Sequence, residues 1–228
     1  MKDTNKVVEF RGCDMLCIAE VTCDDNSTDP AHGYVTGEWE PLAPVAEVSK
    51  TVETASDTKY YDNQPMIVIN SEGPDTITLT TSVPGLDMHA KITGKSFDKD
   101  TGMLVEGDRD TRYYALGYRT KGTDGKFRYV VRHKGTFGIP DETSQTEDNG
   151  TTSNNQSLTF TAIKTKHRFE HGKLEDGKWK KCSVKGIVVD DRFRDVDEDK
   201  FFEKVQTPDS WIEACAAETT EDQTDSHQ

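Results

Sequence analysis

The chain has 228 residues, of which 32% are hydrophobic and 31% charged, with a formal net charge of −14. A chain this long can bury roughly 70% of its unfolded surface in one sizeable domain or two small ones, yet the composition is lean for a core, so much of its length is expected in loops, arms or tails, or covered by partners. The acidic excess excludes a polyanion as natural ligand, because Lys and Arg neutralising phosphates supply most nucleic-acid affinity, and five cysteines, an odd number, argue against a disulfide framework.

The first residues, MKDTNKVVEF, lack the apolar core of a signal peptide, and no run approaches the roughly 20 apolar residues of a membrane span. Synthesis in a cytoplasm, a soluble product and no membrane partner are expected. Residues 7–23 read as a strand pair or one strand interrupted at Gly12, with Cys13, Met15, Cys17, Ala19 and Val21 on one face. A turn-rich loop follows from Asp24 to Gly33, then a strand from Tyr34 to Trp39 and a link bounded by Pro41 and Pro44.

The stretch Val45 to Gly94 organises the chain. Its first strand, VAEVS, leads into a polar excursion from Val52 to Gln64 whose Thr, Glu, Ser, Asp and Lys residues, with the pair Tyr60 and Tyr61, bury too little apolar surface to hold a hairpin in water. Such a segment reads either as a mobile surface loop or as an arm that orders against a neighbouring subunit. Strand MIVIN follows, and from Thr76 to Val83 alternation is strict, with Ile77, Leu79, Thr81 and Val83 on one face. The period then changes to 3.6, predicting a helix over 84–94 with Pro84 at its first position, Val83, Leu86 and Ala90 on one side, and Gly94 as its stop.

Beyond it, RYYALGYRT and FRYVVRHKGTF flank a turn containing Asp124-Gly125, a strong hairpin signal. Tyr114, Leu116 and Tyr118 line one face of the first strand, and Phe127, Tyr129 and Val131 one face of the second, as the aromatic heart of the sheet. A polar loop spans 139–156, and SLTFTAIKT returns to alternation through Leu158, Phe160 and Ala162. The basic stretch 164–189 holds Lys164, Lys166, Arg168, Lys173, Lys178, Lys180, Lys181 and Lys185, suited to phosphates, to the acidic segment after it, or to another copy. Asp195 with Glu198 reads as a capping box opening a helix through Phe201, Phe202 and Val205. Thr207-Pro208 begins another, with Trp211 and Cys215 on one side. From 217 to 228 the acidic tail is expected to lack fixed structure.

No segment carries a phosphate-cradling glycine loop, a nucleophile elbow, a paired helical His motif or a kinase set, so no catalytic residue and no cofactor is assigned and an enzyme is not expected. Cys13, Cys17, Cys23 and His32 suggest zinc at first, but residues four apart on a strand lie roughly 13 Å apart, too far to share an ion with bonds of about 2.3 Å, and no metal is expected. His89 and His133 read as surface or satisfied core residues, and Trp39, Trp179 and Trp211 as packing or subunit contacts.

The order of strand VAEVS, polar excursion ending in YYDN, strand MIVIN, strand TITLTTSV, helix PGLDMHAKI, the RYYALGYRT hairpin, polar loop and strand SLTFTAIKT resembles the major tail tube proteins of long, non-contractile bacteriophage tails, over roughly residues 7–167. The pattern alone is mainly β. The resemblance implies a β-sandwich or partly closed barrel in residues 1–167 flanked by one short helix, followed by a helical extension over 168–216 outside a minimal member. It also implies six copies per ring, rings stacked into a tube in the virion, and tape-measure and tail-terminator partners, with duplex DNA as non-sticking cargo in an acidic bore. The arm residues Val52, Glu53, Thr54, Asp57, Lys59, Tyr60, Tyr61, Asp62 and Asn63 would then contact the adjacent ring. Asp141, Glu142, Thr143, Gln145, Glu147 and Asp148 of the second loop would do likewise. The β-rich pattern and the aromatics at Tyr113 to Tyr118 leave open an immunoglobulin-like module binding carbohydrate or protein.

Overall fold

The structure, a computed structural model, describes residues 9–27, 32–141 and 155–225. In chain order its elements are β1 (Phe10–Asp24), β2 (Tyr34–Thr36), β3 (Glu40–Pro41), β4 (Val45–Tyr61), β5 (Gln64–Thr81), α1 (Leu86–Thr93), β6 (Ser96–Asp98), β7 (Met103–Val105), β8 (Tyr114–Gly122), β9 (Phe127–Phe137), β10 (Gln156–Ala162), β11 (Phe169–Glu175), β12 (Lys178–Cys182), β13 (Gly186–Asp190), α2 (Glu198–Glu203) and α3 (Pro208–Asp225). The fold is mainly β, as the alternation predicts. It divides into two compact units that the chain visits alternately: Met1–Leu42, Arg112–Lys134 and Lys164–Gln228 form the first, and Ala43–Thr111 with Gly135–Ile163 the second. In this division Lys164–Gln228 groups with the first unit.

In that first unit β1 pairs antiparallel with β2, β3 and β8, and β13 pairs with Arg128 to Arg132 of β9. The Asp124-Gly125 turn joins β8 to β9, its neighbour in the sheet, with Gly125 at φ +82° and Gly122 N–H donating to the Lys126 carbonyl at 2.7 Å. One sheet face carries Ala19, Ala115, Tyr129 and Val131, which pack with Phe201 and Val205 from the C-terminal segment. The Phe201 ring lies 4.9 Å from Tyr129 and 5.4 Å from Trp211. Tyr114, Leu116 and Tyr118 are buried as well, so β8 is covered on both faces, whereas Phe127 is half-buried beneath the Arg119 guanidinium at 4.2 Å. Arg119 is itself held by both oxygens of Asp14, each at 2.8 Å, and by Glu198.

β1 departs from one regular face. Gly12 and Met15 have positive φ, and the pairing with β8 shifts register on either side of Asp14, so Met15 is exposed while Leu16, Cys17, Ile18 and Ala19 are all buried. Burial pushes the Cys17 thiol up to about 12, and it acts as a small hydrophobe donating to the Gly117 carbonyl. A Cβ at Gly117 would sit 2.9 Å from both that sulfur and the Trp39 ring, which requires glycine there.

The C-terminal helices have the expected residues with a shifted cap. Asp197, not Asp195, caps α2 by accepting from the Asp199 and Lys200 amides. Thr207 and Ser210 exchange hydrogen bonds at the start of α3, as Pro208 at the first turn predicts. α3 runs to Asp225 as helical backbone, where fixed structure was not expected from 217.

In the second unit β5 pairs with β10 over the whole of that strand and with β4 on its other side, and Gly135 to Phe137 of β9 pair with β10. Ile77, Leu79, Leu158, Phe160 and Ala162 are buried. α1 starts later than the pattern predicts, because Pro84 and Gly85 precede it and Gly85, extended at ψ 152°, is its N-cap. Val83 and Leu86 are consequently 64% and 46% exposed, and Ala90, Ile92 and Thr93 form the buried face. Gly94 ends the helix at φ +68°, with no room for a Cβ against the Asp110 carbonyl.

Two predictions follow from the first unit. His133 is fully buried, donates from Nε2 to the Gln206 carbonyl at 3.0 Å and leaves Nδ1 without a partner; burial of the ring lowers its pKa to about 4. The unfolded chain takes up this proton near pH 6.5 and the folded chain does not. Stability should therefore be complete above that pH and fall toward pH 4, with a loss of about 2 kcal/mol between pH 7 and pH 5 in denaturant titrations that His133→Gln removes. Phe201→Ala should cost about 3–5 kcal/mol in urea unfolding, as expected of a core residue and not of an appended segment.

Candidate assembly surface

β4 and β5 form one long hairpin, closed by Asp62 and Asn63 at φ +50° and +60°. Positive φ at both central residues is the twist-matched turn for a two-residue hairpin, and Asp and Asn tolerate it better than other residues with side chains. The lower part is ordinary sheet, with Val48 opposite Leu79 and Lys50 opposite Ile77. At its root Lys50 Nζ lies 3.0 Å from Asp75 Oδ2, and Asp75 is buried. Beyond Val52 opposite Asp75 the character changes: from Gln64 to Glu72 every β5 residue is exposed, and Thr58 alone is half-buried along the facing part of β4. Ten residues per strand at about 3.3 Å each give an arm roughly 30 Å long.

The arm is less polar than the sequence suggests. Met66, Ile67, Val68 and Ile69 are 68%, 48%, 57% and 52% exposed. An unbroken apolar run ordinarily marks a buried strand; here the hairpin partner of MIVIN is Asp57, Thr58 and Lys59, so neither face gains a core. Alternation places Ile67 and Ile69 on one side with Lys59 and Asp57, and Met66 and Val68 on the other. Tyr60 and Tyr61 near the tip are 68% and 53% exposed. β4 also ends its ladder, leaving an open strand edge.

The nine arm residues singled out in the sequence, Val52 through Asn63, therefore sit on the outer half of β4 and in its turn. The four apolar residues opposite them were missed; the signal that could have found them is the Asp-Asn turn, which makes 64–73 the return strand of the same hairpin. Of the second loop, Asp141 is exposed and Glu142, Thr143, Gln145, Glu147 and Asp148 lie outside the described residues. Within the basic stretch Lys180 and Lys173 pair locally with Glu175, and Lys181 with Glu170 at 2.6 Å. In the first unit a separate apolar groove of about 630 Å³ is lined by Trp179, Val188, Phe193 and Trp211 among others.

The outer half of this hairpin thus exposes its apolar residues without a core of its own. The model of the phage tail tube protein family matches residues 47–196. The chain belongs to that family. The match begins within β4, takes in the whole arm and reaches past β13 to Val196, so the tail tube region extends well beyond 167. No curated protein gives a significant match. As a tail tube protein the chain is a structural component of the phage virion, and no helix among the described residues is long and apolar enough to cross a membrane.

The root of the arm should respond asymmetrically to mutation. Lys50→Met takes the ammonium away from a buried carboxylate and is expected to cost about 2 kcal/mol, whereas Asp75→Asn leaves Lys50 able to reach water and should cost less; thermal denaturation of the two variants checks the order.

Proposed function

We propose that this tail tube protein assembles as six-membered rings that stack into the tube of a long, non-contractile tail, with the β4–β5 arm of each copy lying against the adjacent ring. The observation that carries this reading is the exposure of Met66 to Ile69 on an arm without a core of its own. About 30 Å of two-stranded ladder is marginal in water and becomes stable when a second copy covers its apolar residues. Closed rings also give the open edge of β4 a partner. The residues from Val52 to Asn63 would serve as the polar rim of that contact, and the loop from Asp141 to Asp148 as a second one.

The bore of such a tube must pass duplex DNA without holding it. DNA carries one charge per about 1.7 Å of axis, and a subunit with a net charge of −14 favours a lining that repels it. Tape-measure and tail-terminator proteins would meet the tube inside and at its end. Negative-stain microscopy of concentrated protein should show tubes of uniform width with sixfold end views. The double variant Ile67→Asp, Ile69→Asp should keep its unfolding free energy within about 0.5 kcal/mol and form no tubes. Persistent monomers at every concentration, with the arm resistant to proteolysis, would refute the reading.

A further inference from the structure

The connection from β1 to β2 gathers three residues whose chemistry the tube does not use. A sulfur, a carboxylate oxygen and a ring nitrogen from Cys23, Asp25 and His32 all lie within 4.8 Å of one another. Cys13 and Cys17, which the sequence suggested beside them, stay with β8, opposite Thr120 and Gly117, while Cys23 lies opposite Val35 of β2. Asp25 takes their place in the cluster.

The carboxylate is held by the backbone. Asp25 Oδ1 accepts from the Ser27 and Gly33 amides, both at 2.8 Å, and Asp25 N–H donates to the Gly33 carbonyl at 2.9 Å. These bonds consume one oxygen and leave Oδ2 facing Cys23 Sγ at 3.5 Å and His32 Nδ1 at 4.0 Å. Burial and the neighbouring Asp25 carboxylate push the Cys23 thiol above its ordinary value, partly offset by the Gly33 amide directed at the sulfur. Gly33 adopts φ +89°, with the Ser27 carbonyl 3.2 Å from where a Cβ would stand, and this tight turn returns the chain to β1. The neighbouring Asp24 is already committed, to Lys134 Nζ at 2.6 Å and to the Lys166 and His167 amides, so the Lys134 charge is neutralised within its own pair.

We propose that Cys23, Asp25 and His32 form a binding site for one borderline-soft divalent cation of the Zn²⁺ type. One thiolate, one carboxylate and one neutral imidazole make a three-ligand set for such an ion, with a fourth, solvent-filled position. Tetrahedral bonds of about 2.0–2.3 Å place ligand atoms about 3.3–3.8 Å apart, so the exposed His32 side chain needs only to swing inward. Binding displaces the thiol proton to solvent: Cys–SH and M²⁺ give Cys–S–M⁺ and H⁺. A hard cation such as Mg²⁺, which prefers all-oxygen ligation, is disfavoured. The inference rests on these three residues and is independent of the tube reading.

The test uses the full, tag-free chain, reduced and stripped of metal, titrated with Co²⁺ and followed by absorption spectroscopy. Saturation at one equivalent, with a thiolate-to-cobalt charge-transfer band that Zn²⁺ abolishes, is the expected result. Cys23→Ser should remove the band, and His32→Ala and Asp25→Asn should each weaken affinity about tenfold or more; the Asn side chain can still accept the two amide bonds, so the loop is kept. Cys182→Ser should change nothing. Absence of a saturable band, or a band that survives Cys23→Ser in a variant with unchanged circular dichroism, overturns the proposal and leaves Asp25 a turn-forming residue only.

Discussion

A β-ladder of two strands with water on both sides has nowhere to bury its side chains, and the outer half of the β4–β5 hairpin is such a ladder. The pairing of Val52 through Tyr61 with Gln64 through Asp75 satisfies the main-chain groups that face the partner strand, but Met66, Ile67, Val68 and Ile69 gain nothing from it. The hydrophobic effect is worth about 25 cal/mol per Å² of apolar surface removed from water. Four large residues left outside are therefore a standing drive toward association. A polymer subunit keeps that drive outside the protomer, where it favours the neighbour and not the monomer.

The first unit takes the opposite course and covers itself. The sheet face bearing Ala115, Tyr129 and Val131 is closed by Phe201 and Val205, and β13 pairs along β9. Its buried polar groups are mostly answered from within: Asp24 takes an ammonium and two amides, and the Tyr34 hydroxyl donates to the His133 carbonyl at 2.6 Å. Although burial alone would raise the Asp24 carboxyl, the His167 amide and Lys134 hold it below its ordinary range. His133 Nδ1 is an exception, and burial of that ring, which disfavours its charged form, is why the unit is expected to be sensitive to acid.

Acidity and association bear on each other. A surplus of fourteen negative charges opposes packing identical copies together. Where carboxylates are tied to Lys or Arg, as at Asp190 with Arg128 and Asp191 with Lys126, the repulsion is absorbed locally. An ion at Cys23, Asp25 and His32 would act in the same sense at the β1–β2 connection.

Strict period-two alternation marked Thr76 to Val83 and the run SLTFTAIKT as strands, and the structure keeps them through Thr81 and Ala162, since one face of each is buried and a slip of one residue would expose it. Asp124-Gly125 located the central hairpin because a tight turn needs a residue tolerant of positive φ. The order of these elements was enough to suggest the tail tube family, and the missing motifs pointed away from catalysis. Only the tertiary structure decided which apolar runs are inside. Leu86 reads as core yet stands in water, as do the apolar residues of strand MIVIN, because burial depends on what the rest of the chain brings opposite, and for the arm it brings only β4. Likewise Phe201, Val205 and β13, which read as an extension, cover a sheet face and a strand edge made by residues about 55 to 90 positions earlier in the chain, a distance over which local pattern carries no information.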